Sequence, residues 1–140
     1  SWGVRDLELM LQTLGEYDPA FIAIVDRNVR AACCRVHSLH ANQFHPVSAP
    51  YARRVEEGRA LFKKAVDAAQ RLGAHAIVWH GATRQDASDP ANWDRFLAQA
   101  SDFAQWCAEA DPSLSAISRT VSEASATSAM QTDAPSPASR

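Results

Sequence analysis

The sequence predicts an α/β fold in which a parallel sheet of about three strands is covered by helices. Three observations carry this. Short segments of alternating or β-branched residues take turns with longer segments whose apolar residues recur at helical spacing. The order is strand, helix, strand, helix, strand, helix, which builds right-handed crossovers and a parallel sheet. Beyond Asp111 both periodicities stop.

Residues 4–11 read as the first strand. Leu7, Leu9 and Leu11 alternate with Asp6, Glu8 and Met10 at period two. Asp18-Pro19 is an N-cap followed by proline at the first helical position. Phe21, Ile22, Val25 and Val29 then predict a helix over 19–30. Arg35 to His40 is the second strand. After a polar loop over 41–49 comes the strongest helical pattern, over 50–72. Its stripe is Tyr51, Val55, Phe62, Ala65, Val66, Ala69 and Leu72. Arg53/Glu57 and Lys63/Asp67 are opposite charges four apart on the other side, and Gly73 is the expected stop. Ala76 to His80 is short, apolar and β-branched at its centre, as buried parallel strands are. Asn92 reads as the cap of a last helix with Trp93, Phe96, Leu97, Ala100, Phe103, Ala104 and Cys107 on one face, ending near Ala110.

The domain expected from this spans residues 1–110. Residues 111–140 are rich in Ser, Ala, Thr and Pro, with too little apolar area to offset ordering entropy, and are expected to be disordered. Because the break falls where the next strand should begin, loss of the reading frame near Asp111 is the favoured explanation over a natural tail.

A net charge of -2 over 140 residues argues against a nucleic-acid partner, whose binding proteins carry clustered basic surface. No apolar run is long enough to span a membrane. Ser1-Trp2-Gly3-Val4-Arg5 does not open a signal peptide, and with no initiator Met the natural start is expected upstream. Cys33, Cys34 and Cys107 have no disulfide-framework spacing and imply free thiols in a reducing, cytoplasmic setting.

Alternate strand residues share a face. With helices outside, the bulky faces pack outward. Val36, Ser38 and His40 then share one face of the second strand, and Ala76, Val78 and His80 one face of the third. Glu8, His40 and His80 are therefore expected to point inward near the C-terminal strand ends, where parallel barrels carry their active sites. Neighbouring strands are about 5 Å apart, so two imidazoles and a carboxylate can meet on one ligand or metal. His45, in Gln43-Phe44-His45-Pro46, lies in the loop over the same end and is a further candidate for substrate contact. His37 and His75 are assigned no role.

Val36-His37-Ser38-Leu39-His40-Ala41 resembles the "slHap" strand end of the xylose-isomerase-like TIM barrels. Residues 51–73 are similar to that family's following helix, Ala76-Ile77-Val78-Trp79-His80-Gly81 to its "vvvHpG" strand, and Gly3 with Asp6-Leu7-Glu8-Leu9 to its "G-x-x-x-lEl" strand. The resemblance covers residues 3–110 and implies strands two to four of a (β/α)8 barrel, hence a barrel fragment. The family's fifth strand, with its "EN" glutamate, should start near Asp111, but the chain reads Asp111-Pro112-Ser113-Leu114-Ser115.

The resemblance implies a sugar phosphate isomerase/epimerase-like enzyme. A divalent metal (Mn, Mg, Zn or Co) would polarise the C=O/C–OH pair of a small sugar or sugar-phosphate substrate while a glutamate moves the proton. In that branch His40, His80 and His45 are substrate-side groups and Glu8 is the candidate catalytic carboxylate. The alternative branch is a metal-dependent abasic-site endonuclease, in which His40 and His80 resemble zinc ligands. The "HAPY"-like run is interrupted by Ala41-Asn42-Gln43, and Gly81-Ala82-Thr83-Arg84 replaces Pro-Gly-Ser, which favours the sugar branch. With later strands not represented, catalysis by this chain alone is not expected. A non-catalytic truncated product is the other class of reading, and the open sheet edges invite self-association. A free-standing nucleotide-type α/β domain is disfavoured, since no G-x-G-x-x-G or Walker run occurs.

Overall fold

The computed structural model describes residues 3–41 and 50–119. Its elements begin with β1 (Asp6–Met10), a 3-10 turn (Leu14–Tyr17), α1 (Pro19–Ala31) and β2 (Arg35–His40). They continue with α2 (Ala52–Leu72), β3 (Ala76–His80), a single turn α3 (Arg84–Ala87), α4 (Pro90–Ala110) and β4 (Ser115–Arg119). The four strands form one sheet in the order β1-β2-β3-β4, with every neighbouring pair parallel.

Local chemistry sets the helix ends. The Asp18 carboxylate accepts from the Ala20 N–H at 2.8 Å, and Pro19 occupies the first turn. Helix α1 closes in a Schellman arrangement, with Cys34 N–H donating to the Val29 carbonyl. This puts Cys33 at φ 55°, a left-handed conformation usually left to glycine. Gly73 closes α2 in the same conformation at φ 66°. The cap of α4 is Asp89, which accepts from Ala91 and Asn92 N–H, with Pro90 in the first turn. The expected cap at Asn92 is thus corrected by three residues: the Asp89-Pro90 pair repeats the logic of Asp18-Pro19.

The helices cover one face of the sheet. Leu39, Ile77 and Trp79 from the strands meet Leu61, Phe62, Ala65, Ala69 and Leu72 of α2 and Phe96, Phe103 and Cys107 of α4 in one core. Trp79 sits at its centre, 1% exposed, with edge-on contacts to Phe62 and Phe103 at 6.1 and 5.0 Å between ring centroids. Burying such side chains stabilises the fold by about 1.5–3 kcal/mol each. On the outside of α2, Arg53 pairs with Glu57 as expected. Asp67 pairs with Arg71 instead of Lys63, whose ammonium lies 4.6 Å over the Trp106 ring. The ring face of a half-buried Trp gives Lys63 a less mobile partner than an exposed carboxylate does.

Two sequence expectations change further. Residues 115–119 were expected to lie in a disordered tail, yet they form β4 on the edge of β3, with Ala76 opposite Ser115 and His80 opposite Arg119. Leu114, just ahead of it, is buried. The open backbone of β3 supplies the pairing that a small, polar strand does not advertise. In β2 the register slips between Leu7 and Glu8: Leu7 lies opposite Val36 and Glu8 opposite Ser38. His37 is the extra residue. The bulge ends the strict alternation, so Val36 joins Leu39 in the core rather than sharing a face with Ser38 and His40. No described helix is long and apolar enough to cross a membrane.

Candidate functional site

Beyond the bulge, alternation resumes and the second face of the sheet carries the polar residues. Glu8, Ser38 and Ala76 are level across β1, β2 and β3, and two residues further on Met10, His40 and Val78 are level. His80 ends β3 one step higher on the same side. The residue between, Trp79, is anchored in the helix-side core, which fixes the opposite direction for its two neighbours.

The three sequence candidates on this face meet. The Ser38 hydroxyl donates to Glu8 Oε2 at 3.0 Å. Glu8 Oε1 lies 3.3 Å from His40 Nδ1. His40 Nε2 lies 3.1 Å from His80 Nε2, with the rings stacked at 5.1 Å between centroids and 22° between planes. Ser38, Glu8, His40 and His80 therefore form one continuous polar row over three strands. His40 is 8% exposed and needs such partners, because an unsatisfied buried imidazole is costly. The contact between the two Nε2 atoms requires one to carry a proton and the other a lone pair. Chemically, the row can accept from and donate to hydroxyls, or hold one cation between two nitrogens.

Ser38 is the member that sequence reading assigned no role. Its shared face with His40 was legible; its bond to Glu8 depends on the register slip. Glu8 touches His40 on the ring edge away from His80. His45 lies outside the described residues. His37 and His75 meet edge-on at 6.0 Å, away from this row, and Asp6 pairs with Arg35, whose guanidinium holds the Asp6 carboxyl below the usual range.

Among the described residues no cluster of three or more His, Cys, Asp or Glu side chains is disposed to hold a metal ion. The His40–His80 pair nevertheless fits half of one. Two Zn–N bonds of about 2.0–2.1 Å at tetrahedral angles set ligand nitrogens roughly 3.3 Å apart, and the two Nε2 atoms are 3.1 Å apart. Glu8, on Nδ1, stands where a carboxylate orients a ligating imidazole rather than where it binds the ion.

A parallel βα sheet with convergent polar side chains at its C-terminal strand ends is the arrangement of half a (β/α)8 barrel. Residues 2–114 match the family model described as the xylose isomerase-like TIM barrel, and the chain belongs to that family. No curated protein sequence matches it. Among solved structures it is similar to a D-tagatose 3-epimerase-like protein, at 12% identity and a TM-score of 0.67 over 81% of this chain and 43% of that one. It is also similar to a D-psicose 3-epimerase solved in the presence of D-fructose, at 17% identity and a TM-score of 0.60 over 77% and 40% of the two chains. A xylose isomerase domain protein from Planctomyces limnophilus matches at 14% identity and a TM-score of 0.60, over 83% and 44%. The chain thus spans less than half the length of these structures.

Proposed function

We propose that this chain is the N-terminal portion of a sugar isomerase/epimerase-type enzyme, and that its row of Ser38, Glu8, His40 and His80 is the substrate side of the active site. The observation that carries the reading is the contact chain from Glu8 through His40 to His80 at the C-terminal strand ends. Family membership and the ketohexose epimerases among the similar structures support it.

In this reading the imidazoles of His40 and His80 accept and donate to hydroxyls of a small sugar or sugar phosphate, and His45 in the adjoining loop joins them. Glu8, anchored by Ser38, holds His40. A divalent metal (Mn, Mg, Zn or Co), when bound by the whole enzyme, would polarise the C=O/C–OH pair between which a proton moves. The described residues offer it at most two nitrogens, and the carboxylates that would complete its site and move the proton are assigned to later strands. Binding without turnover is therefore the behaviour proposed for this chain alone, in a cytoplasmic setting.

The test is calorimetric titration with D-fructose, D-psicose and their phosphates. Weak binding lost at least tenfold in His40→Ala and His80→Ala supports the reading. Equal affinity in wild type and both variants sinks it.

The spacing of the two Nε2 atoms favours one second reading, a nuclease-like zinc site. It predicts stoichiometric zinc, lost in either variant, and cleavage of a synthetic abasic duplex by the whole enzyme. Zinc binding without any effect of ketohexoses would favour this reading over the first.

A further inference from the structure

Resting on the reading of this face as the ligand site, we infer that Glu8 is a positioning residue that selects the tautomer of His40 and, through it, the direction of the His40–His80 contact. The sequence offered Glu8 as a catalytic carboxylate. Its place in the fold argues for a different task. Its half-exposed carboxylate lies across the face of the neighbouring strand: Oε2 accepts from the Ser38 hydroxyl at 3.0 Å and Oε1 lies 3.3 Å from His40 Nδ1. Both contacts are on the neighbouring strand, level with Glu8 or two residues above it.

A neutral imidazole carries one ring proton. A carboxylate facing Nδ1 favours the proton on that nitrogen, because a lone pair there would meet negative charge. His40 Nε2 is then the lone-pair nitrogen. It stands 3.1 Å from His80 Nε2, which must supply the proton of that contact. Having its single proton on Nε2, His80 carries its lone pair on Nδ1. The charge of Glu8 thus sets, two residues away, which nitrogen of His80 accepts. With the opposite tautomer of His40 the order reverses and His80 Nδ1 becomes a donor. Ser38 acts by keeping the Glu8 carboxylate turned toward His40.

The experiment is two-bond ¹H–¹⁵N correlation of the histidine rings in the full chain, without ligand, at one pH where both rings are neutral. Wild type is expected to show His40 as Nδ1–H and His80 as Nε2–H. Glu8→Ala should lose the Nδ1–H form of His40 as the major species. Glu8→Gln should keep it, since its amide oxygen still accepts. A wild-type His40 that is Nε2–H overturns the inference whether or not any variant folds. So does a folded Glu8→Ala chain whose tautomers do not change. These spectra need no sugar, so a failure of sugar binding with the tautomers as expected would sink the functional reading alone.

Discussion

Replacing Trp79 by alanine tests the packing that aims the whole site. Trp79 is 1% exposed and touches the rings of Phe62, Phe96 and Phe103 at centroid distances of 6.1, 5.6 and 5.0 Å. Truncating a buried Trp costs about 3–5 kcal/mol. The aromatic pairs add stabilisation beyond area, about 0.5–1.5 kcal/mol each, though not additively. The lower figure of about 3 kcal/mol is already a large part of the stability of about 5–15 kcal/mol that a domain has. With a urea slope of about 2 kcal/mol/M, the midpoint should fall by roughly 1.5–2.5 M. Urea titration followed by far-ultraviolet circular dichroism measures this. His80→Ala is the control: it is the next residue, on the other face, and should cost less, about 1–2 kcal/mol, because it only takes the Nε2 partner from the buried His40. Equal midpoints for the two variants, or a loss below about 1 kcal/mol in Trp79→Ala, would refute the alternation that turns His80 away from the helices. Should Trp79→Ala not fold at all, Trp79→Phe must still lie below wild type.

Three further outcomes are expected. Cys33→Gly should stabilise the chain by roughly 0.5–1 kcal/mol, since the left-handed conformation at Cys33 costs an ordinary residue about 1–2 kcal/mol and glycine gives back part of that as unfolded-state entropy; a lower thermal midpoint would contradict this. The Glu16 carboxyl, held low by the Thr13 and Gln12 N–H groups, adds stability above its unfolded pKa that is lost as pH falls through its lower folded value. Glu16→Gln should therefore show a smaller loss of stability on acidification below the ordinary carboxylate range, read by denaturant midpoints at several pH values. Burial pushes the Cys107 thiol up to about 11, while Cys33 is exposed. A thiol reagent at neutral pH should modify Cys33 quickly and Cys107 only on unfolding, as peptide mass mapping would reveal.

Much of the fold was legible because periodicity reports burial. The strands ending at His40 and His80 and the long helix up to Leu72 carry patterns that one element type satisfies. What escaped the sequence depends on pairing between distant segments. The bulge at His37 is a register event between β1 and β2, and no residue type marks it. It moves Val36 into the core and brings Ser38 level with Glu8. Strand β4 is specified by the free edge of β3 more than by its own small residues. The choice of Lys63 for Trp106 over Asp67 follows from the packing of α4 on α2. Within the site, Glu8, His40 and His80 were legible as residues sharing a face, whereas the order of contacts among them was not, because it needs the register.

In the proposed reading the working face of this chain is the polar row on the side of the sheet away from the helices. A concavity of about 470 Å³ lies on the outer side between the 3-10 turn and α2, lined by Tyr17, Asp18, Lys63 and Lys64 among others. A chemical-shift map of the ¹⁵N-labelled chain titrated with D-psicose separates the two most directly. Shifts centred on Glu8, Ser38, His40 and His80 are expected. Shifts centred on Tyr17, Lys63 and Lys64, with the histidine row unmoved, would contradict that reading.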